Sequence, residues 1–367
     1  MVRIIIVAGG TGGHLFPGIA LAQELRKRYK DIELFFVGTK RGVESRELSK
    51  LGFNLETISI VGLSRKNILR NISAPFYLFK GLAQSFMLLN RIKPGVVIGT
   101  GGYVSYPVLL LASLKKILTL IQEQNSFPGM TTRLLAPRVD KVCLTYPGSL
   151  KYFPSFTSKP KKFKILGNPI RKEVTQGNRD LGLKRFNLSP DKKTIFIFGG
   201  SQGSHKINLT VLEALDYFGD NLQLLWQTGE KDFDATKEKT REIKMNLSLH
   251  PFIDDMGSAY AVADLVISRA GALTLAEITA CGKPAILIPY PSATADHQKL
   301  NAQELEKSGA AKLILENDLN GKKLANLSNR LFADKSVLEQ MSQASRNMAK
   351  LDATSKITDE IEELLKR

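Results

Sequence analysis

Cysteine is nearly absent: the 367 residues include two, Cys143 and Cys281, far apart and in no C-x-x-C spacing. That excludes a disulfide framework and a cysteine zinc site, and it fits a reducing, cytoplasmic setting. Histidine is scarce too, with four in all; His205, His250 and His297 are too scattered to join His14 as a recognisable metal set. No apolar run reaches the roughly 20 residues of a spanning helix. The longest, from Val104 to Leu114 and on to Ile121, is broken by Lys115 and Lys116. The first residues lead straight into a strand pattern, so no secretory signal is expected. Acidic residues are in deficit, 35 against 52 Lys and Arg, for a formal charge of +17. Such a field favours nucleic acid, acidic headgroups or polyphosphates without choosing among them. No RNP-like motif, helix-turn-helix cue or basic tail supports the nucleic-acid choice, and none is expected as a partner.

What the chain has is glycine in particular places. Two apolar runs, Arg3 to Val7 and Thr194 to Phe198, each enter a glycine loop, Gly9-Gly10-Thr11-Gly12-Gly13-His14 and Gly199-Gly200-Ser201-Gln202-Gly203-Ser204. A strand, then glycines, then a helical pattern presents bare backbone N–H groups and a helix N-terminus to an anion. Two further loops follow strand patterns, Gly99-Thr100-Gly101-Gly102-Tyr103 and Ser268-Arg269-Ala270-Gly271-Ala272-Leu273-Thr274. Neither glycine loop contains G-x-x-x-x-G-K-[ST], which excludes a P-loop. A dinucleotide fingerprint is also disfavoured. Leu15 stands where its third glycine belongs, and the second strand ends in Val37-Gly38-Thr39 without an acidic residue for a ribose.

At about 150 residues per domain the length suggests two. Strand-like runs alternate with helical patterns: Arg3 to Val7, a helix to about Tyr29, Glu33 to Val37, a helix Val43 to Leu51, Val96 to Gly99 and Leu118 to Gln122. A second series follows the basic run Lys159-Pro160-Lys161-Lys162, with Thr194 to Phe198, Gln223 to Gln227, Leu265 to Ser268 and Ala285 to Pro289. This is the rhythm of parallel sheets wrapped by helices, an α/β fold. The turn-favouring Gly167-Asn168-Pro169 marks the boundary, and Ala353 to Arg367 reads as a helix able to pack on either half. Thr274-x-x-Glu277 reads either as a capping box or as a phosphate and sugar contact. His14 is suited to general-base chemistry, or else to bracing its loop. Asp232-x-Asp234 sits in a hydrophilic stretch and reads as solvated surface.

The motifs GGTGGHLFPGIALA (9–22), GTGGYVSYP (99–107), EQNSFPG (123–129), GNPIR (167–171), GGSQGS (199–204), FIDDM (252–256), SRAGALTLAE (268–277) and DHQKLNA (296–302) together resemble the MurG family of bacterial peptidoglycan glycosyltransferases. Members of that family add N-acetylglucosamine to undecaprenyl-diphospho-N-acetylmuramoyl-pentapeptide. The motifs stand in the family's order and span nearly the whole chain. The resemblance implies a GT-B architecture of two Rossmann-like, doubly wound domains facing a cleft. Residues 1–166 would bind acceptor and membrane, with the helix at about 350–367 packing back on them, and residues 167–349 would bind the UDP-sugar. It implies donor contacts at Ser201, Ala272, Leu273, Thr274 and Leu275 for the diphosphate, Glu277 for the ribose, Ile253 for uracil, Gln298 for the sugar and Arg171 nearby. Thr11, Gly12, Gly13 and Asn125 would meet the same sugar, and Gly101, Gly102 and Tyr103 the acceptor. His14 would be the base of an inverting transfer. No cofactor or metal is implied. Partners would be UDP-GlcNAc, the lipid-linked acceptor (lipid I), an anionic phospholipid surface and other proteins of cell-wall synthesis, with the enzyme peripheral on the cytoplasmic face of the inner membrane.

Two positions depart from the family: Gln122 replaces a usual His and Thr132 a usual Asn, which bears on the hydrogen bonding around Asn125. Between Ser64 and Lys93, Ile72, Phe76, Phe79 and Phe86 recur at helical spacing among Lys66, Arg70, Lys80, Arg91 and Lys93. Such a stripe either packs in a core or dips into lipid, and the resemblance favours lipid, with Ile72, Phe76 and Phe79 as the contacts. Another GT-B transferase acting on a different acceptor is the alternative.

Overall fold

The computed structural model describes residues 2–40, 43–62, 72–156, 158–293 and 296–366. They form two compact units, residues 1–171 with 351–367 and residues 172–350.

The first unit holds a parallel sheet of β1 (Val2–Val7), β2 (Ile32–Gly38), β3 (Asn54–Thr57), β4 (Val96–Gly99), β5 (Leu118–Glu123), β6 (Lys141–Leu144) and β7 (Phe163–Ile165). Their order is β3-β2-β1-β4-β5-β6-β7. Helices α1 (Gly12–Arg28), α2 (Val43–Lys50), α3 (Ala74–Ile92), α4 (Ser105–Leu114) and α5 (Met130–Leu135) make the crossovers. Strand β1 is central because its core, Ile4 to Val7, is fully buried. An apolar run of this kind is what a strand covered by helices on both faces requires. Register pairs Val7 with Val37 on one side and with Gly99 on the other, so the first two N-terminal glycine loops leave the same edge side by side.

The second unit repeats the plan. Strands β8 (Lys193–Phe198), β9 (Leu222–Gln227), β10 (Leu247–His250), β11 (Leu265–Ser268), β12 (Ala285–Leu287) and β13 (Ala311–Leu313) are ordered β10-β9-β8-β11-β12-β13. Its helices are α6 (Arg179–Arg185), α7 (His205–Ala214), α8 (Phe233–Lys239), α9 (Met256–Val262), α10 (Ala272–Ala280), α11 (His297–Lys307), α12 (Gly321–Ala333) and α13 (Lys335–Met348). Phe198 pairs with Ser268, so the loops after β8 and β11 are again neighbours.

The division falls between Arg171 and Lys172, not before Gly167. The Asn-Pro turn is held by the first unit. The Leu166 and Gly167 amides donate to the Leu144 carbonyl, and Asn168 is buried, accepting from Gln122 at 3.0 Å and from Thr145 at 2.7 Å. Arg171 thereby joins the first unit, its guanidinium 4.6 Å from the centre of the Phe16 ring.

The last helix, α14 (Ala353–Leu365), also belongs to the first unit. Ile357, Ile361 and Leu364 are fully buried in the core beneath β1 and α1. Arg28 donates to Asp359 at 2.6 Å and Glu362 at 3.0 Å. Lys141, nearly buried, pairs with Glu360 and, at 3.1 Å, Glu363. Burial opposes the Lys141 ammonium, but its two carboxylate hydrogen bonds outweigh it and raise its pKa. Burial also raises the thiol pKa of both cysteines, Cys281 to about 12, leaving them protonated at neutral pH. Truncating Ile361 to Ala should cost the first unit about 2–5 kcal/mol in urea denaturation, and exposed Lys356→Ala less than about 0.5 kcal/mol. Equal, small effects would show that α14 is not integral to this core.

Candidate active site

In both sheets the strand order reverses direction at the pair carrying the glycine loops, β1 with β4 and β8 with β11. Crossovers depart to opposite faces there, leaving an open crevice at the C-terminal strand ends, the usual ligand position in doubly wound folds.

In the first unit the loop after β1 is tied down by a residue that sequence patterns did not single out. Glu44, 1% exposed on α2, accepts the Gly10 amide at 3.0 Å. Its other oxygen is buried without a hydrogen bond. His14, in the first turn of α1, places Nδ1 3.2 Å from the Gly9 carbonyl and 3.3 Å from Thr11 Oγ1. A carbonyl only accepts, so this contact calls for the proton on Nδ1 and puts the basic lone pair of a neutral ring on Nε2. The His14 carbonyl accepts from Thr100 at 2.7 Å. Gly101, at φ +114°, lies against the imidazole: a Cβ there would come within 2.5 Å of His14 Cδ2. The Tyr103 ring lies within 3.5 Å of where a Cβ on Gly10 would be. Thr11 and Gly13 are exposed and Gly12 is buried.

The EQN loop is organised by its own glutamate. Glu123 accepts from the Asn125 amide at 3.1 Å, Asn125 Nδ2 at 3.3 Å and the Gly129 amide at 3.0 Å. Gln122, standing for the family's histidine, takes part in a buried amide chain instead. It donates to Asn168 and accepts from Gln124, which also donates to the Thr100 carbonyl at 2.6 Å. The replacement is therefore absorbed next to Asn168, and Asn125 keeps its contact to Glu123.

In the second unit, Gly203 has φ +74°, and a Cβ there would stand 1.9 Å from the Thr228 carbonyl; only glycine fits. Ser201 is exposed at the loop tip, and Ser204 caps α7. Gln227, the last residue of β9, donates to the Gly200 carbonyl at 3.0 Å and accepts the Ile253 amide at 2.9 Å. It thus couples the glycine loop to Ile253, whose N–H is already taken. Arg269, buried, donates to the carbonyls of Ile288 at 3.2 Å and Pro289 at 3.1 Å and to Ser204 Oγ at 2.8 Å, and pairs with Glu316.

Helix α10 is capped by Gly271 without a side-chain bond. The T-x-x-E segment is therefore no capping box, because Thr274 lies inside the first turn. Buried Glu277 accepts from Tyr260 at 3.2 Å. The Leu275 amide donates to the Gly271 carbonyl at 3.0 Å and its side chain is buried. An anion would thus meet the amides before it, at Ala272 to Thr274, rather than Leu275 itself. Gln298 ties its side-chain oxygen to the Tyr290 amide at 2.9 Å. Asp232 is not simply solvated: its oxygens engage His205 at 3.0 Å and Asn208 at 2.7 Å. Among the described residues no group of three His, Cys, Asp or Glu could hold a metal ion.

Ser64, Lys66 and Arg70 lie outside the described residues. The rest of the aromatic stripe is on the surface. Ile72, Phe76 and Phe79 are 76%, 67% and 75% exposed, while α3 buries Gly81, Ser85, Leu88, Leu89 and Ile92 instead. The core explanation for those three residues is thus excluded. Lys115 covers the half-exposed Phe86 ring at 4.7 Å.

Comparison with known proteins matches this geometry. The model of the glycosyltransferase family 28 N-terminal domain fits residues 4–144, and that of the C-terminal domain fits residues 194–360, which sets the class as a glycosyltransferase. The UDP-N-acetylglucosamine–N-acetylmuramyl-(pentapeptide) pyrophosphoryl-undecaprenol N-acetylglucosamine transferase of Thermodesulfovibrio yellowstonii is 43% identical, over 100% of this chain and 99% of its own. The Clostridioides difficile protein of that name is 40% identical, over 98% of this chain and 88% of its own. The crystal structure of Acinetobacter baumannii MurG superposes with a TM-score of 0.77 at 30% identity, covering 99% of this chain and 100% of that one. The chain belongs to this family of N-acetylglucosaminyltransferases.

Because a methyl on Gly101 must displace the imidazole, Gly101→Ala should lower the transfer rate by about a hundredfold. Gly148→Ala, where a Cβ meets nothing within 4 Å, should leave it within about twofold. Equal rates in steady-state assays would mean the GTGGY loop does not set the position of His14.

Proposed function

We propose that the chain transfers N-acetylglucosamine from UDP-GlcNAc, with inversion, to the C4 hydroxyl of MurNAc in undecaprenyl-diphospho-MurNAc-pentapeptide (lipid I), giving lipid II for peptidoglycan synthesis. The observation that carries this is the 43% identity to a relative named for that transfer, across the whole chain. The test is to incubate the protein with UDP-GlcNAc and a short-chain prenyl-diphospho-MurNAc-pentapeptide, following UDP release and product mass. A gain of one N-acetylhexosamine is expected. Binding of the sugar nucleotide without turnover would reassign the acceptor, and neither binding nor turnover would remove the reading.

On this reading the first unit binds acceptor and membrane and the second unit the UDP-sugar. The acceptor C4 oxygen, along Gly101, Gly102 and Tyr103, gives its proton to His14 Nε2 as it attacks the anomeric carbon. The bond to the diphosphate breaks on the opposite side and UDP leaves. Charge growing on the leaving group is met by Ser201 and by the first-turn amides of α10, Ala272 to Thr274, a dipole end that needs no reorganisation. Arg171 adds its guanidinium; its Nε is buried without a protein partner, as suits a group reserved for a ligand. Ile253 contributes its carbonyl to uracil, Glu277 its carboxylate to the ribose and Gln298 its remaining amide N–H groups to the sugar. Thr11, Gly12, Gly13 and Asn125 are assigned to the same sugar by family resemblance. His14→Ala should lower kcat by about 10²–10⁴-fold while UDP affinity, measured calorimetrically, barely changes; an unchanged kcat would place the base elsewhere.

The acceptor is lipid-linked, and no helix among the described residues is long and apolar enough to cross a membrane. We assign the exposed face of α3, with Ile72, Phe76 and Phe79, to a peripheral contact with an anionic phospholipid surface on the cytoplasmic side, where other cell-wall synthesis proteins would also be met. Lys80, next to Phe79 in the chain, is exposed and would be worth about 1 kcal/mol near an acidic bilayer; Arg91 and Lys93 stand at the far end of α3, where Arg91 pairs with Glu56 at 2.7 Å. Replacing Phe76 and Phe79 by Ser should weaken sedimentation with anionic vesicles by at least about tenfold without lowering the thermal transition. Loss of folding instead would mean these rings support the core.

A further inference from the structure

The basic run at residues 159–162 is untouched by this chemistry, and the fold gives it a place. Residues 137–140 lead into β6 and residues 159–162 into β7. Both segments therefore lie at the N-terminal edge of the parallel sheet, the end opposite the glycine loops. Between them is a pocket of about 540 Å³, within the size range of small-ligand sites. Six cations line it: Arg138, Lys141, Lys159, Lys161, Lys162 and Lys164.

Its two carboxylates are already engaged. Asp140 accepts from the amide and hydroxyl of Thr119, both at 2.8 Å, and Glu363 accepts from Lys141. Lys164 faces Glu360 at 3.6 Å. Among the described residues Arg138, Lys159, Lys161 and Lys162 make no ion pair. Lys162 is the informative one, because it is only 8% exposed. Burial, then the nearby Lys159 charge, push its ammonium down to about 8, against a small pull from Asp140. An ammonium at the end of a mostly buried side chain, among like charges, is unfavourable unless an anion meets it. Lysines spread for solubility point outward; this one forms part of a concave wall.

We propose that this pocket is a second, non-catalytic site that binds a phosphate ester group, with Lys162 in its wall and Arg138, Lys159 and Lys161 at its rim. Phosphate offers several acceptor oxygens and up to two charges, matching clustered lysines and an arginine fork. A phospholipid headgroup and a soluble phosphate compound share this chemistry, and binding measurements separate them.

The full-length protein, saturated with UDP so that any nucleotide site is filled, is titrated by calorimetry with inorganic phosphate. It is also sedimented with phosphatidylcholine vesicles with or without phosphatidylglycerol. Lys162→Met and the double variant Lys159→Gln/Lys161→Gln should each weaken binding by about tenfold or more. Lys237→Gln/Lys239→Gln, exposed in the other unit, should not. Phosphate binding lost in the pocket variants identifies a soluble source; loss only of the phosphatidylglycerol-dependent sedimentation identifies a headgroup. Wild-type protein that binds neither probe would overturn the proposal, as would pocket variants equal to wild type or to the Lys237/Lys239 control. Lys162→Met removes a charge from a mostly buried side chain and is expected to fold; should it not, the exposed Lys159/Lys161 pair carries the test.

Discussion

Backbone brought closer than any side chain allows is the constraint on which both units depend. In each sheet, neighbouring strands deliver loops that must touch each other and still offer amides outward. In the first unit Gly101 lies flat against His14, and in the second Gly203 passes the Thr228 carbonyl where a methyl would overlap it. Parallel pairing of Val7 with Gly99 and of Phe198 with Gln227 fixes these approaches from beneath. The sheets therefore do more than support the loops: their register sets how near the loops come.

Loops stripped of side chains cannot hold themselves, and buried polar residues from neighbouring elements or from the loop's own flank anchor them. Glu44 holds Gly10, Glu123 holds the turn at Asn125, Gln227 holds Gly200 and Ile253, and Arg269 holds Ser204 and the strand end at Ile288. Breaking such a bond leaves a desolvated group unpaired, at a cost of about 1–3 kcal/mol. The anchors leave little freedom in the positions of His14 and of the amides at the start of α10. Preorganised dipoles of that kind stabilise developing charge without having to reorient during reaction.

The central strands, the four glycine loops and the two-part plan were legible in sequence because buried parallel strands are continuous apolar runs and glycine clusters mark their exits. The edge strands β3, β7, β10 and β13 and the inner strand β6 were not: each has three or four residues with a polar or charged one among them, so it shows neither a period nor an unbroken apolar run. The anchors were invisible for another reason. Glu44 and Gln227 look like ordinary helix and strand residues until the fold brings them under a loop about 30 positions away. Thr274-x-x-Glu277 shows the converse, a pattern with two physical meanings that only the position of Gly271 as the helix cap resolves. The stripe on α3 was equally ambiguous, since periodicity tells that residues share a face and not which face is covered.

In the proposed reaction the crevice between β8 and β11 receives the nucleotide while the crevice between β1 and β4 serves the reacting hydroxyl. Amide hydrogen exchange on the full-length protein, with and without UDP, distinguishes the two. Slowed exchange at residues 199–204 and 271–274, with residues 9–14 unchanged, is the predicted result. Protection confined to residues 9–14 would contradict it.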